Sequence, residues 1–234
     1  MAQSLKKRRD DIRQKVKDMF IGDGGHDGSE GQCVMEAVAL VTNNMKQAKK
    51  TDHPETACSS ITEMMIAIND KIDDDDRQLL KKLVPYIAWT NDGKAQARQK
   101  RILKTFMCIA ASKAKRKDEK AMYIELARCI KNDNLQKAID LIAYPEISDP
   151  SYLGKYNFCI TNSDLLSAFE NYRTNDCDDA ASNLGDWWLE EIGSNSESVK
   201  LFVQMMVRIL DKPLYPSKAL NKRLERNYKT SRAF

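Results

Sequence analysis

Apolar residues recur at helical spacing along almost the whole chain, and the residues that break helices are gathered into a few places. Five of the nine glycines fall between Gly22 and Gly31, and four of the six prolines stand at Pro145, Pro150, Pro213 and Pro216. A chain punctuated this sparsely lacks the turn residues that a many-stranded β fold demands, and it offers long stretches in which helical turns run uninterrupted. The expected fold is all-α, a multi-helix globular bundle. With 234 residues, 42% of them hydrophobic, the chain is long enough to build a core without disulfides or metal.

The first stretch places Ile12, Val16, Met19 and Phe20 on one face and Lys6, Lys7, Arg8, Arg9, Arg13, Lys15 and Lys17 elsewhere, which predicts a basic amphipathic helix. After the glycine loop, residues 33–47 are apolar nearly all round at first and predict a buried helix. Asp52-His53-Pro54-Glu55-Thr56 has the features of a helix start, leading into the stripe Ala57, Ile61, Met64, Met65, Ile68 and Ile72. Asp73 to Asp76 cap a helix from Arg77 to about Pro85, and Thr90–Gly93 is a turn before a long basic helix over 94–117. Further helices are expected over 119–131, 134–143, 162–172, 177–192 and 196–210, followed by a basic tail. Asn132-Asp133 and Asn175-Asp176 supply similar turns 43 residues apart, which suits two helical hairpins. The weakly periodic stretch 145–159 divides the chain into helical subdomains 1–144 and 145–234, with a single domain as the alternative. Of the adjacent Trp187 and Trp188, one is expected to be partly exposed, as two neighbours on a surface helix cannot both point inward.

The formal net charge of +4 conceals a segregation. Residues 1–20, 94–120 and 212–234 together carry +18, so the remainder carries −14. Such blocks either neutralise one another in the fold or present separate electrostatic faces. No apolar run is long enough to span a membrane, and the charged N-terminus is not followed by the apolar core of a secretory signal. The six cysteines are scattered, with no CxxC pair, which favours reduced thiols and a cytoplasmic protein.

Cys33-Val-Met35-Glu36, Asp52-His53-Pro54-x3-Cys58, Asn69-Asp70 and Arg77-x2-Leu80 together resemble a segment recurring in uncharacterised actinobacterial and phage proteins. The resemblance covers roughly residues 31–88 and implies a shared helical module without an established activity. The chain departs from that pattern at Thr56-Ala57 and at Ser59-Ser60.

Thiolate, imidazole and carboxylate are zinc-ligand types, and a cysteine beside a histidine is a nucleophile–base pair, so Cys33, Glu36, His53 and Cys58 are the candidates for chemistry. A helix over 33–47 would be about 21 Å long and would hold His53 far from Cys33. The structural reading is that Asp52 and His53 fix a turn, and that Glu36, a carboxylate in an apolar stretch, has a polar partner such as an arginine. His26-Asp27 lies in a loop whose acids would repel phosphate and whose spacing is not that of a calcium loop. No catalytic residue, metal or cofactor is assigned.

The basic stretches are the remaining candidates. Lys94, Arg98, Arg101 and Lys104, at spacings of 4, 3 and 3, share one helical face, and Lys222, Arg223 and Arg226 lie in the tail. The expected function is a non-enzymatic helical binding or adaptor protein, phage-encoded, that engages nucleic acid or an acidic protein surface through these residues. The alternatives are a phage inhibitor of a host protein and a metal-dependent enzyme around Cys33 and Glu36.

Overall fold

A computed structural model describes residues 2–24, 32–42, 52–143 and 163–211. The fold is all-α: α1 (Ala2–Val16), α2 (Val34–Thr42), α3 (Ser59–Lys71), α4 (Asp74–Leu80), α5 (Val84–Ile87), α6 (Ala95–Lys113), α7 (Lys117–Lys131), α8 (Leu135–Ala143), α9 (Ser163–Arg173), α10 (Cys177–Glu191) and α11 (Ser196–Asp211). Among the described residues there is no strand, only one isolated bridge between Ile21 and Gln32 that joins the end of α1 to the start of α2. No helix of the described residues is long and apolar enough to cross a membrane.

Most helices lie where the periodicity puts them, and the departures have local causes. The helix expected to begin at Pro54 begins at Ser59, with Cys58 as its N-cap. Backbone groups of residues 55–58 instead bond to the loop after α5: Asn91 N donates to Thr56 O at 3.1 Å, Asn91 Nδ2 donates to Glu55 O at 2.8 Å, and Cys58 N donates to Thr90 Oγ1 at 2.8 Å. Tertiary hydrogen bonds have replaced the first helical turn. The helix expected to continue from Arg77 to Pro85 is two, because Pro85 sits in the first turn of α5, where its missing N–H costs nothing. The basic helix ends at Lys113, and Arg116 then caps α7, its N–H donating to Glu119 and its guanidinium to Asp118.

The two expected hairpins are present, α7 with α8 and α9 with α10. Each first helix ends in a pair of crossed hydrogen bonds, Asn134 N to Cys129 O with Asp133 N to Ile130 O, and Asp176 N to Asn171 O with Asn175 N to Tyr172 O. The left-handed residues are Asp133 (φ 55°) and Asn175 (φ 65°), so the Asn-Asp pairs play different parts in the two turns.

The core is built around α10. It lies along α3, where Gly185 would bring a Cβ within 3.2 Å of Ala67 Cβ and 3.3 Å of Met64 O, a separation only glycine fills comfortably. Because α10 also contacts α6 and α9, it has no broad outer face, and both Trp187 and Trp188 are fully buried, contrary to the expectation that one would be exposed. Phe106 of α6 lies 4.7 Å from the Trp188 ring and Phe202 of α11 5.6 Å from it, while Tyr123 of α7 approaches Trp187 at 6.2 Å. The boundary expected at 145–159 lies outside the described residues. One hydrophobic core runs through the helices on either side of it.

Candidate functional site

The candidates for chemistry, Cys33, Glu36, His53 and Cys58, are all engaged in local hydrogen bonds. Cys33 N donates to Glu36 Oε2 at 2.8 Å, Glu36 N donates to Cys33 Sγ at 3.3 Å, and Val34 N donates to Asn69 Oδ1 at 3.3 Å. These bonds take up the N–H groups of Cys33, Val34 and Glu36 at the start of α2, so the chain itself caps the helix. The predicted partner for Glu36 therefore includes a backbone N–H. Gly24, at φ 91°, packs so closely that a Cβ there would lie 2.7 Å from Cys33 Cβ. Burial pushes the Cys33 thiol up to about 12, which removes the thiolate that a nucleophile or metal ligand needs near neutrality.

His53 lies between two carboxylates. Its Nδ1 lies 2.6 Å from Asp52 Oδ1 and its Nε2 2.8 Å from Glu63 Oε1, and hydrogen bonds to Glu63 and then Asp52 raise its pKa above the ordinary histidine value. The histidine thus ties the turn before α3 to that helix. Cys58 Sγ meets Ser60 Oγ at 3.1 Å. No group of three or more His, Cys, Asp or Glu side chains among the described residues is arranged to hold a metal ion. His26 and Asp27 lie outside the described residues.

The basic row of α6 does not form one open face. Lys94 pairs with Asp92 at 3.6 Å, and Arg98 is only 7% exposed, donating to Thr90 O at 2.6 Å and pairing with Asp92 at 2.8 Å. Arg101 donates to Ile209 O at 3.2 Å, near the C-terminus of α11, and lines an α6–α11 groove of about 490 Å³ together with Arg208, Ile109 and Met205. Lys104 is exposed. The row fails as a surface because Arg98 stands four residues before Ile102 and eight before Phe106, on the stripe that faces the core. That spacing was the signal to read. Lys222, Arg223 and Arg226 lie outside the described residues.

Cations from elsewhere do converge. A groove of about 400 Å³ is lined by Arg13, Val16, Lys17, Lys81, Lys82, Tyr86 and Val207, from α1, the α4–α5 connection, α5 and α11. Its floor is apolar and its rim is basic, and no Asp or Glu lines it. Among the described residues, Lys17, Lys81 and Lys82 have no carboxylate within 4.0 Å, whereas Arg13 pairs with Asp10 on its own helix. Tyr86 anchors the rim: Arg9 lies over its ring at 4.6 Å and Arg13 at 5.5 Å, and Arg13 Nη2 donates to its hydroxyl at 2.8 Å. Arg9 also pairs with Asp211, which ties α1 to the end of α11.

Next to this rim, Trp89 follows α5 in a left-handed conformation, φ 63°, and is 39% exposed, with Arg8 5.7 Å from its ring centroid. Glycine is the usual residue at such a position, and a bulky side chain there costs about 1–2 kcal/mol. The backbone is held by Ala88 N to Val84 O, Thr90 N to Ile87 O and Arg98 to Thr90 O. Reading the sequence for a basic helix found the α1 cations but not their aromatic partners, since Tyr86 and Trp89 meet Arg8, Arg9 and Arg13 only in the folded chain. Comparison with protein-family models, with curated proteins and with solved structures finds no match, so the functional reading rests on these residues.

Proposed function

We propose that this protein is a non-enzymatic binder of nucleic acid and that the groove between α1, α5 and α11 is its phosphate-binding face. The observation that carries the reading is the convergence of Arg13, Lys17, Lys81 and Lys82 on one groove whose lining holds no carboxylate. Lysines gathered at one place without acidic partners repel one another, and a polyanion relieves that repulsion while releasing its counterions. Besides its four cations the lining holds only Tyr86, Val16 and Val207. An acidic protein would meet the same charges and would also be screened by salt, so direct binding of an oligonucleotide is what separates the two partners.

The test is binding of labelled duplex and single-stranded oligonucleotides by fluorescence anisotropy as salt is raised from about 50 mM. Binding should weaken steeply with salt, and a Lys81→Ala/Lys82→Ala variant should bind more weakly with a log–log salt slope smaller by about 2. Absence of binding at about 50 mM salt, or an unchanged slope in the variant, rejects the reading.

A further inference from the structure

Three observations at the edge of the basic groove call for an account beyond charge. Trp89 is one of the three large apolar side chains exposed among the described residues, and the other two tryptophans are fully buried. Its backbone holds a conformation that disfavours a bulky side chain, so the ring is presented at the cost of local strain. Arginines face both aromatic rings of this edge, Arg8 over Trp89 and Arg9 and Arg13 over Tyr86.

We infer that Trp89 is a stacking platform for an unpaired base, so that the nucleic acid taken by this face is single-stranded. This rests on the nucleic-acid reading above and narrows it. In a duplex the flat faces of the bases are covered by their neighbours, and an exposed indole gains little from them. In a single strand each base offers a face of its own, and stacking of this kind tolerates any sequence. Tyr86 lines the groove that holds Lys81 and Lys82, and Trp89 stands outside that lining but beside it, since the consecutive α1 residues Arg8 and Arg9 reach the Trp89 and Tyr86 rings. A strand whose phosphates run along the lysines would have its bases within reach of the indole. Arg8, stacked on the indole and without a carboxylate within 4.0 Å among the described residues, adds a cation beside the stacked base.

The experiment compares a deoxythymidine oligonucleotide of about 20 nucleotides, an abasic strand of equal length and charge, and a duplex of that length, all at about 50 mM salt. The parent protein should bind the thymidine strand about tenfold more tightly than the abasic strand, with quenching of tryptophan emission that the duplex does not produce. Because Trp187 and Trp188 are fully buried, that quenching reports Trp89. Trp89→Gly, which removes the ring at a backbone position that suits glycine, should lose about tenfold in affinity for the thymidine strand and keep its affinity for the duplex, while Trp89→Phe retains most of the binding. Equal binding of abasic and thymidine strands by the parent protein overturns the inference, and needs no variant to fold. Unchanged single-strand binding by a folded Trp89→Gly overturns it as well. If the platform is wrong while the groove still binds phosphate, the Lys81→Ala/Lys82→Ala variant weakens all three ligands alike. If the groove itself is wrong, none of the three binds with a salt slope that those lysines alter.

Discussion

The backbone N–H of Cys33 donates to the Glu36 carboxylate at 2.8 Å, and the Glu36 N–H returns a bond to the Cys33 sulfur at 3.3 Å. The pair reproduces, with sulfur in place of a hydroxyl, the reciprocal bonding of a Ser–Glu capping box. Glutamine can accept the same bond. Glu36→Gln should therefore cost little, whereas Glu36→Ala should lower unfolding stability in urea by about 1–2 kcal/mol. A catalytic or metal-binding carboxylate would instead lose activity or metal in both variants.

Thiol reactivity should separate the cysteines of the described residues by burial. Cys108 is exposed, while Cys33 is buried with its thiol pushed up to about 12 and Cys129 is raised in the same direction by burial. Brief alkylation of the native protein at about pH 8, mapped by mass spectrometry, should label Cys108 first and leave Cys33 unmodified until the protein unfolds.

Gly185 sets the distance between α3 and α10. A Cβ at this position would press on Ala67 Cβ at 3.2 Å and on the Met64 carbonyl at 3.3 Å, and neither belongs to a side chain that can swing away. Gly185→Ala gains about 1 kcal/mol of helix propensity but should still destabilise, because the clash costs about 1–3 kcal/mol. Adding Ala67→Gly should relieve part of the clash, so that the two changes couple in a double-mutant cycle of denaturation measurements.

His53 makes stability depend on pH. Its hydrogen bonds to Glu63 and Asp52 raise its folded-state pKa above the ordinary value of 6.5. The charged imidazolium therefore stabilises the fold fully below about pH 6.5, and that contribution is lost as pH rises through the higher folded-state value. Urea midpoints measured between about pH 6 and pH 9 should fall for the parent relative to His53→Ala, the two curves converging at the alkaline end. Parallel curves would show that the imidazole does not hold this turn.

Arg98 should behave as a structural residue. It donates to Thr90 O and pairs with Asp92; burial by itself would raise the Asp92 carboxyl, but the hydrogen bond and charge of Arg98, aided by Lys94, hold it below the usual range. Arg98→Ala should cost about 2–3 kcal/mol in chemical denaturation, since it removes a charged hydrogen bond from a buried site. It should also shift the emission of Trp89, whose backbone the Thr90 loop holds. A change confined to salt-dependent binding, with stability intact, would place Arg98 at the surface instead.

Much of the secondary structure was legible in the sequence because its cause is local. The stripe Ile61, Met64, Met65 and Ile68 defines α3, and Ile102, Leu103, Phe106 and Met107 define α6, without reference to anything distant. The start of α3 was misplaced because Thr90 and Asn91, more than thirty residues away, take up the hydrogen-bonding groups of residues 55–58. The pair Trp187 and Trp188, of which one was expected to be partly exposed, was misjudged for a related reason. Their burial depends on how many helices surround α10, and no spacing within α10 reports that.

The all-α class and the run of its helices were determined by the sequence, since a helix is closed by bonds between residues four apart and its inner face is written in the same short period. Which cations remain available to a partner was decided only by the tertiary structure. Charge pairs form between residues as far apart as Arg9 and Asp211, and Arg98, part of a basic row in the sequence, is drawn inward by a loop carbonyl. Lys17, Lys81 and Lys82 meet because α1 packs on α5. Electrostatic attraction and repulsion act through space, so the face they form exists only once the chain has folded.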